Sequence, residues 1–112
     1  MIPLKQSTYR ILLALAEGEW LHGYAIMQLL SEMTGGRETI LPGTLYAALA
    51  RMVDEGLIET RDGAADDPSG GPKRRYYRGT SFGRAVARAE SERLRALVEI
   101  AEARRILPGR TK

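Results

Sequence analysis

The chain has 112 residues, a length for one domain, with 44% hydrophobic and 28% charged residues, the composition of an ordinary globular fold. It contains no cysteine, which excludes disulfides and thiolate metal sites, and no apolar run near the roughly 20 residues that span a bilayer. The net charge of +3 is mild, but basic residues cluster at Lys73, Arg74, Arg75 and Arg78 and again from Arg84 onward. Such clusters are either a phosphate-binding footprint or a solvated face. The N-terminal residues lack a basic region followed by an apolar stretch, so no secretory signal is read there, and a cytoplasmic location away from membranes is expected.

Ile11, Leu12 and Leu15 recur at helical spacing and predict a first helix over residues 7–16, closed by the break at Glu17 and Gly18. Trp20 and Leu21 fall in a connection. A second helix is predicted from about His22 to about Met33, with Ile26, Leu29, Leu30 and Met33 on one stripe, and Gly35–Gly36 stops it. After a short turn, Pro42 suits the first turn of a third helix, where its missing N–H costs nothing. On that helix Leu45, Leu49, Met52 and Val53 share a face with Ala48 at its margin. Gly43, Tyr46, Ala47, Ala50 and Asp54 point the other way. Gly56 ends it.

Residues 57–61 read as a short strand, 62–72 as a loop rich in Gly and Pro, and 74–78 as the returning strand, with Tyr76 and Tyr77 on opposite faces. Alternation does not say which of the two tyrosines is buried. Thr80 and Ser81 can each cap a final helix, expected over residues 82–106, before Pro108–Gly109. The predicted fold is mainly α with a small β-hairpin: a winged helix-turn-helix over residues 1–80, a long C-terminal dimerisation helix over 81–107, and a flexible tail over 108–112. This skeleton serves mostly to place one helix in the major groove of DNA.

Three blocks narrow the class. HGYAIMQLL from His22, LPGTLYAALARMVDEGLIE from Leu41 and GPKRRYYRGTSFGRA from Gly71 resemble the signature blocks of the PadR family of transcriptional regulators, over roughly residues 8–90. The resemblance implies a winged-helix homodimer bound to a palindromic operator in double-stranded DNA, usually as a repressor. It also implies, for some members, release by phenolic acids or other flat aromatic compounds, which makes a small aromatic effector a candidate partner. Two departures stand out: Asp66 and Asp67 at the wing tip would repel phosphate, and the last helix has no Trp or Tyr to stack on a planar drug.

The candidate DNA-binding residues follow. Pro42, Gly43 and Thr44 open the third helix, where free N–H groups suit a phosphate, although plain capping also explains Pro42. Tyr46 lies off the apolar stripe, and the resemblance favours a DNA role for it; Tyr24 is similar to a family position near the DNA backbone, with core packing as the alternative. Ala47 leaves room for close approach to the groove, and its methyl can meet a thymine methyl. Arg51 is the helix's only basic residue, suited to a guanine or phosphate, or else to an ion pair with Asp54 or Glu55. Lys73, Arg74 and Arg75 begin the return strand, where they reach phosphate, protect a sheet edge, or do both.

On the last helix Leu94, Leu97, Val98 and Ala101 form a seam that a second copy would bury by two-fold symmetry, or that packs on the first helix of the same chain. Leu12, Phe82 and Val86 complete the expected dimer interface. Trp20, Tyr9 and the methionines either line a cleft between protomers or belong to the core. His22, the only histidine, has no partners for a metal site or for catalysis, and no catalytic residue, metal or cofactor is expected. The rival reading is a winged-helix protein-interaction module without specific DNA binding.

Overall fold

Apolar side chains from three helices and a small sheet converge on one core in the computed structural model, which describes residues 5–63 and 74–109. Helix α1 (Gln6–Ala14) supplies Ile11 and Leu12, with Leu15 just beyond its end. Helix α2 (Gly23–Met33) supplies Ile26 and Leu30, and α3 (Pro42–Asp54) supplies Leu45, Ala48, Leu49 and Met52. On α1 and α3 these are the stripes the spacing predicts, whereas on α2 Leu29 is half-buried and Met33, the last residue of the helix, is 44% exposed because it runs past the core. Val53 is only half-buried, and Ala48, placed at the margin by sequence, is buried.

The helix ends have local causes. His22 caps α2, its Nδ1 accepting from the Ala25 N–H at 3.2 Å. Pro42 occupies the first turn of α3, and Gly56 follows its end with φ +77°, a left-handed conformation that a side chain would oppose. Thr80 caps the 23-residue helix α4 (Ser81–Ala103), its Oγ1 accepting from the Gly83 N–H at 3.0 Å. The Thr80 hydroxyl in turn donates to the Gly56 carbonyl at 2.6 Å, and the Thr80 N–H donates to the Leu57 carbonyl at 3.1 Å.

The expected hairpin is part of a larger sheet. Strand β1 (Leu21–His22) joins β2 (Ile58–Asp62) and β3 (Arg75–Gly79) in an antiparallel sheet of order β1-β3-β2. Leu21 pairs with Tyr77 and His22 with Tyr76, while Thr60 faces Tyr77 across the other side of β3. Sequence alone places Leu21 in a connection, since two residues are too few to show alternation; β3 makes them a strand by offering an edge. Tyr77 is the buried tyrosine and Tyr76 lies half-buried on the outer face. The loop residues 64–73, including Asp66, Asp67 and Lys73, fall outside the described residues.

The first half of α4 packs on α1. Tyr9 and Ser91 share a hydrogen bond of 2.6 Å between the two helices. Glu90, 5% exposed, is held by the Arg93 fork at 2.8 and 2.6 Å, which keeps its carboxyl below the usual carboxylate range. Beyond this point Leu97, Val98 and Ile100 stand exposed. Gly83 sets how closely α4 approaches the body. A Cβ there would overlap the Leu57 carbonyl group, whose carbon would lie 2.9 Å away, and that backbone cannot swing aside. We expect Gly83→Ala to cost about 3 kcal/mol. Calorimetry should then show Tm lower by roughly 10–20 °C; an unchanged Tm would mean that the α4 contact is not tight.

Candidate nucleic-acid interface

Helix α3 buries one face and presents the other. Pro42, Gly43, Thr44, Ala47 and Ala50 are exposed, and Tyr46 is 49% exposed. A Cβ at Gly43 would meet nothing within 4 Å, so packing within the chain does not require glycine there. The small residues leave a smooth ridge with free N–H groups at its start, a shape that enters a groove closely.

Arg51 does not stand on that ridge. Its Nη2 donates to Thr8 Oγ1 at 3.3 Å, and its Nε lies 3.8 Å from Glu55, one helical turn on. Of the two roles open to it from sequence, the geometry has the ion pair and adds a tie to α1. The exposed ridge of α3 thus carries no basic side chain of its own, and Arg51, 40% exposed, stands at its flank.

The cationic and aromatic groups come from neighbouring elements instead. The Tyr46 ring lies against the backbone of Gly23 at the start of α2: a Cβ on Gly23 would sit 2.7 Å from Tyr46 Cζ. Beside it Tyr24, 59% exposed, stacks on His22 with ring centroids 6.4 Å apart, and Tyr76 meets His22 edge-on at 5.7 Å. Arg74 Nη1 approaches His22 Nε2 to 3.0 Å. The structure thus brings Tyr24, Tyr76 and Arg74 together around His22, with Tyr46 resting on the adjacent Gly23. Arg75 faces the other way, 3.6 Å from Asp62 across the hairpin, and Arg78 pairs with Glu59 at 2.8 Å.

Two residues gain roles that sequence reasoning missed. His22, read only as a helix start, is the hub of this cluster; β1 pairing, which puts it opposite Tyr76, left too short a signal to detect. Trp20 meets the guanidinium groups of Arg61 and Arg78, each 4.4 Å from its ring centroid. Among the expected interface residues, Leu12 is 4% exposed and belongs to the chain's own core, which its position on α1 facing Gly83 explains. Val86, Leu94 and Ala101 are half-buried, and Phe82, Leu97 and Val98 are exposed.

A helix-turn-helix of α2 and α3 followed by a sheet that flanks it defines the winged-helix class. The sequence profile of the transcriptional regulator PadR-like family matches residues 11–89, and the chain belongs to this family. A Lysinibacillus sphaericus protein described only as uncharacterized is 38% identical over 81 residues, covering 72% of this chain and 69% of that one. A transcriptional regulator from Clostridium thermocellum superposes with a TM-score of 0.72 at 27% identity, covering 87% of each chain. Bacillus subtilis PadR, solved in complex with operator DNA, shares the fold with a TM-score of 0.63 at 24% identity, over 80% of this chain and 47% of that chain. Among the described residues no helix is long and apolar enough to cross a membrane, and no group of His, Asp and Glu could hold a metal ion.

The close seat of Tyr46 on Gly23 gives a direct test. We expect Gly23→Ala to displace the Tyr46 ring into solvent, read as a loss of ring-current shifts on α2 amides by NMR, while the buried core signals stay in place. Unmoved α2 shifts would show that the ring does not rest on Gly23.

Proposed function

We propose that the protein is a sequence-specific DNA-binding regulator, a cytoplasmic homodimer that represses transcription from a palindromic operator. The observation that supports this reading most directly is the convergence of the exposed α3 face, the α2 start and Arg74 on one side of the molecule. In this reading α3 enters the major groove, where Ala47 and Ala50 permit close approach and methyl contact with thymine. The first turn of α3, with Pro42, Gly43 and Thr44, meets a backbone phosphate through free N–H groups and the Thr44 hydroxyl. Tyr46 and Tyr24 flank that contact, and Arg74, on the strand face opposite to Arg75, extends it along the wing. Arg51, tied to Thr8 and Glu55 yet 40% exposed, stands at the flank of the ridge within reach of the DNA.

The second copy docks on α4. Leu97, Val98 and Ile100 are exposed on the described chain, and burying each such side chain is worth about 1.5–3 kcal/mol. Leu94 and Ala101 lie at the same seam, and Phe82 and Val86 extend it toward the wing. Two-fold pairing then presents two α3 helices to half-sites about 34 Å apart or a small multiple of that. A small aromatic effector has a candidate seat in the cleft of about 550 Å³ between α1, the end of α2 and α4, lined by Tyr9, Leu13, Met33, Arg93 and Leu94. That volume suits a compact organic molecule. The rival reading, an interaction module without DNA binding, draws on the commitment of Arg51 to Thr8 and Glu55.

A mobility-shift titration on the DNA upstream of the protein's own coding region, at two salt concentrations with competitor, separates the readings. We expect a discrete, competitor-resistant band that weakens with salt, and Ala47→Glu should abolish it without lowering Tm. Smearing that competitor removes equally, there and in a genome-wide selection of bound fragments, would favour the interaction module. For assembly, Leu97→Glu should convert a dimer into a monomer in sedimentation velocity; a wild-type monomer would refute the seam.

A further inference from the structure

We infer that His22 Nε2–H and the Arg74 guanidinium together form a binding site for one phosphodiester oxygen, the point where the DNA backbone is gripped between α2 and the wing. The inference rests on the DNA-binding reading above and adds to it a site built around the one histidine.

The argument begins with proton counting. A neutral imidazole has one donor and one acceptor nitrogen. His22 Nδ1 accepts from the Ala25 N–H at 3.2 Å, one of the first-turn donors of α2 that has no partner within the helix. In the neutral tautomer that makes this bond, the ring proton sits on Nε2. Arg74 Nη1 lies 3.0 Å from that nitrogen, and a guanidinium has donors only. Two donors face each other with no acceptor between them. The other tautomer moves the conflict without removing it: Nε2 would accept from Arg74, but Nδ1–H would then oppose the Ala25 N–H. Within the chain the ring cannot satisfy both neighbours. An anionic oxygen placed against Nε2–H and Arg74 satisfies both at once, and charge-assisted bonds of this kind are the strong ones.

The site is held ready for its ligand. Tyr24 stacks on the His22 ring and Tyr76 meets its edge, so the ring plane is fixed before anything binds. Arg75 and Arg78 are engaged by Asp62 and Glu59, whereas Arg74 meets no carboxylate among the described residues. The cluster adjoins Gly23, on which Tyr46 of α3 rests, so a duplex seated on α3 passes beside it. A phosphodiester is the ligand that this position supplies.

The test uses the full chain and random-sequence duplex DNA at low salt. Asparagine is among the best helix caps, so His22→Asn keeps the acceptor for Ala25 and removes the Nε2–H donor. We expect it to leave Tm in place and to weaken duplex binding about tenfold, on operator and random sequence alike. Arg74→Gln should weaken binding similarly, and the double variant should lose about as much as the worse single one, because both groups hold one oxygen. In NMR titrations the His22 ring signals should move with duplex DNA and stay put with inorganic phosphate at matched ionic strength. Wild-type DNA binding with an undiminished, folded His22→Asn overturns the site while leaving the DNA-binding reading intact, as do additive losses in the double variant. An equal response to inorganic phosphate would make it a free-anion site and overturn the backbone assignment. Failure of the wild type to bind any duplex removes both.

Discussion

The rest of the molecule depends on how Thr80 and Gly83 fasten the start of α4 to the turn that ends α3. Thr80 donates through its hydroxyl to Gly56 and through its backbone to Leu57, while capping the helix that it begins. Gly83 then lets the helix lie against the Leu57 carbonyl. Four elements meet there: the end of α3, the first residue of β2, the last of β3 and the first turn of α4. Because a buried backbone carbonyl must be paired, the hydrogen bonds and the close contact reinforce each other. The exposed ridge of α3 and the exposed seam of α4 are consequently parts of one rigid body.

Much of this was legible in sequence. Periodicity gave the buried faces of α1, α2 and α3, and the punctuation by Gly18, Gly35, Pro42, Gly56 and Thr80 gave their ends, because helix faces and caps are set by residues within a few positions of each other. Features set by distant residues were not legible. Strand β1 exists because β3 offers an edge, which two residues cannot announce. Tyr76 and Tyr77 are equivalent as neighbours, and only the packing under β3 decides that Tyr77 goes inward. Arg51 and its exposed ridge look alike on a helical wheel; Thr8, 43 residues earlier, is what draws the guanidinium away.

The wing illustrates how a basic stretch divides its labour. Arg75 and Arg78 answer the acidic residues across the hairpin, and Arg61 with Arg78 encloses Trp20. Ion pairs this exposed add little stability individually. Strand alternation sets which guanidinium faces which way, and of these arginines Arg74 is the one that meets His22. A run of basic residues in sequence therefore overstates the number of cations presented on one surface.

The unbroken length of α4 has a mechanical consequence. A helix of 23 residues is a stiff rod roughly 34 Å long, anchored at one end to the winged-helix body. In the proposed dimer, two such rods cross and act as lever arms. Re-angling them by about 10° around a crossing at the Leu94–Ala101 seam, roughly 25 Å from the start of the helix, would sweep each body through about 4 Å. Set against the roughly 34 Å between half-sites, that is a large fraction of the tolerance for docking both ridges. A ligand or substitution that merely repacks side chains at the crossing would thus act at a distance as a change of gauge, altering which spacing the pair can straddle without touching either reading surface.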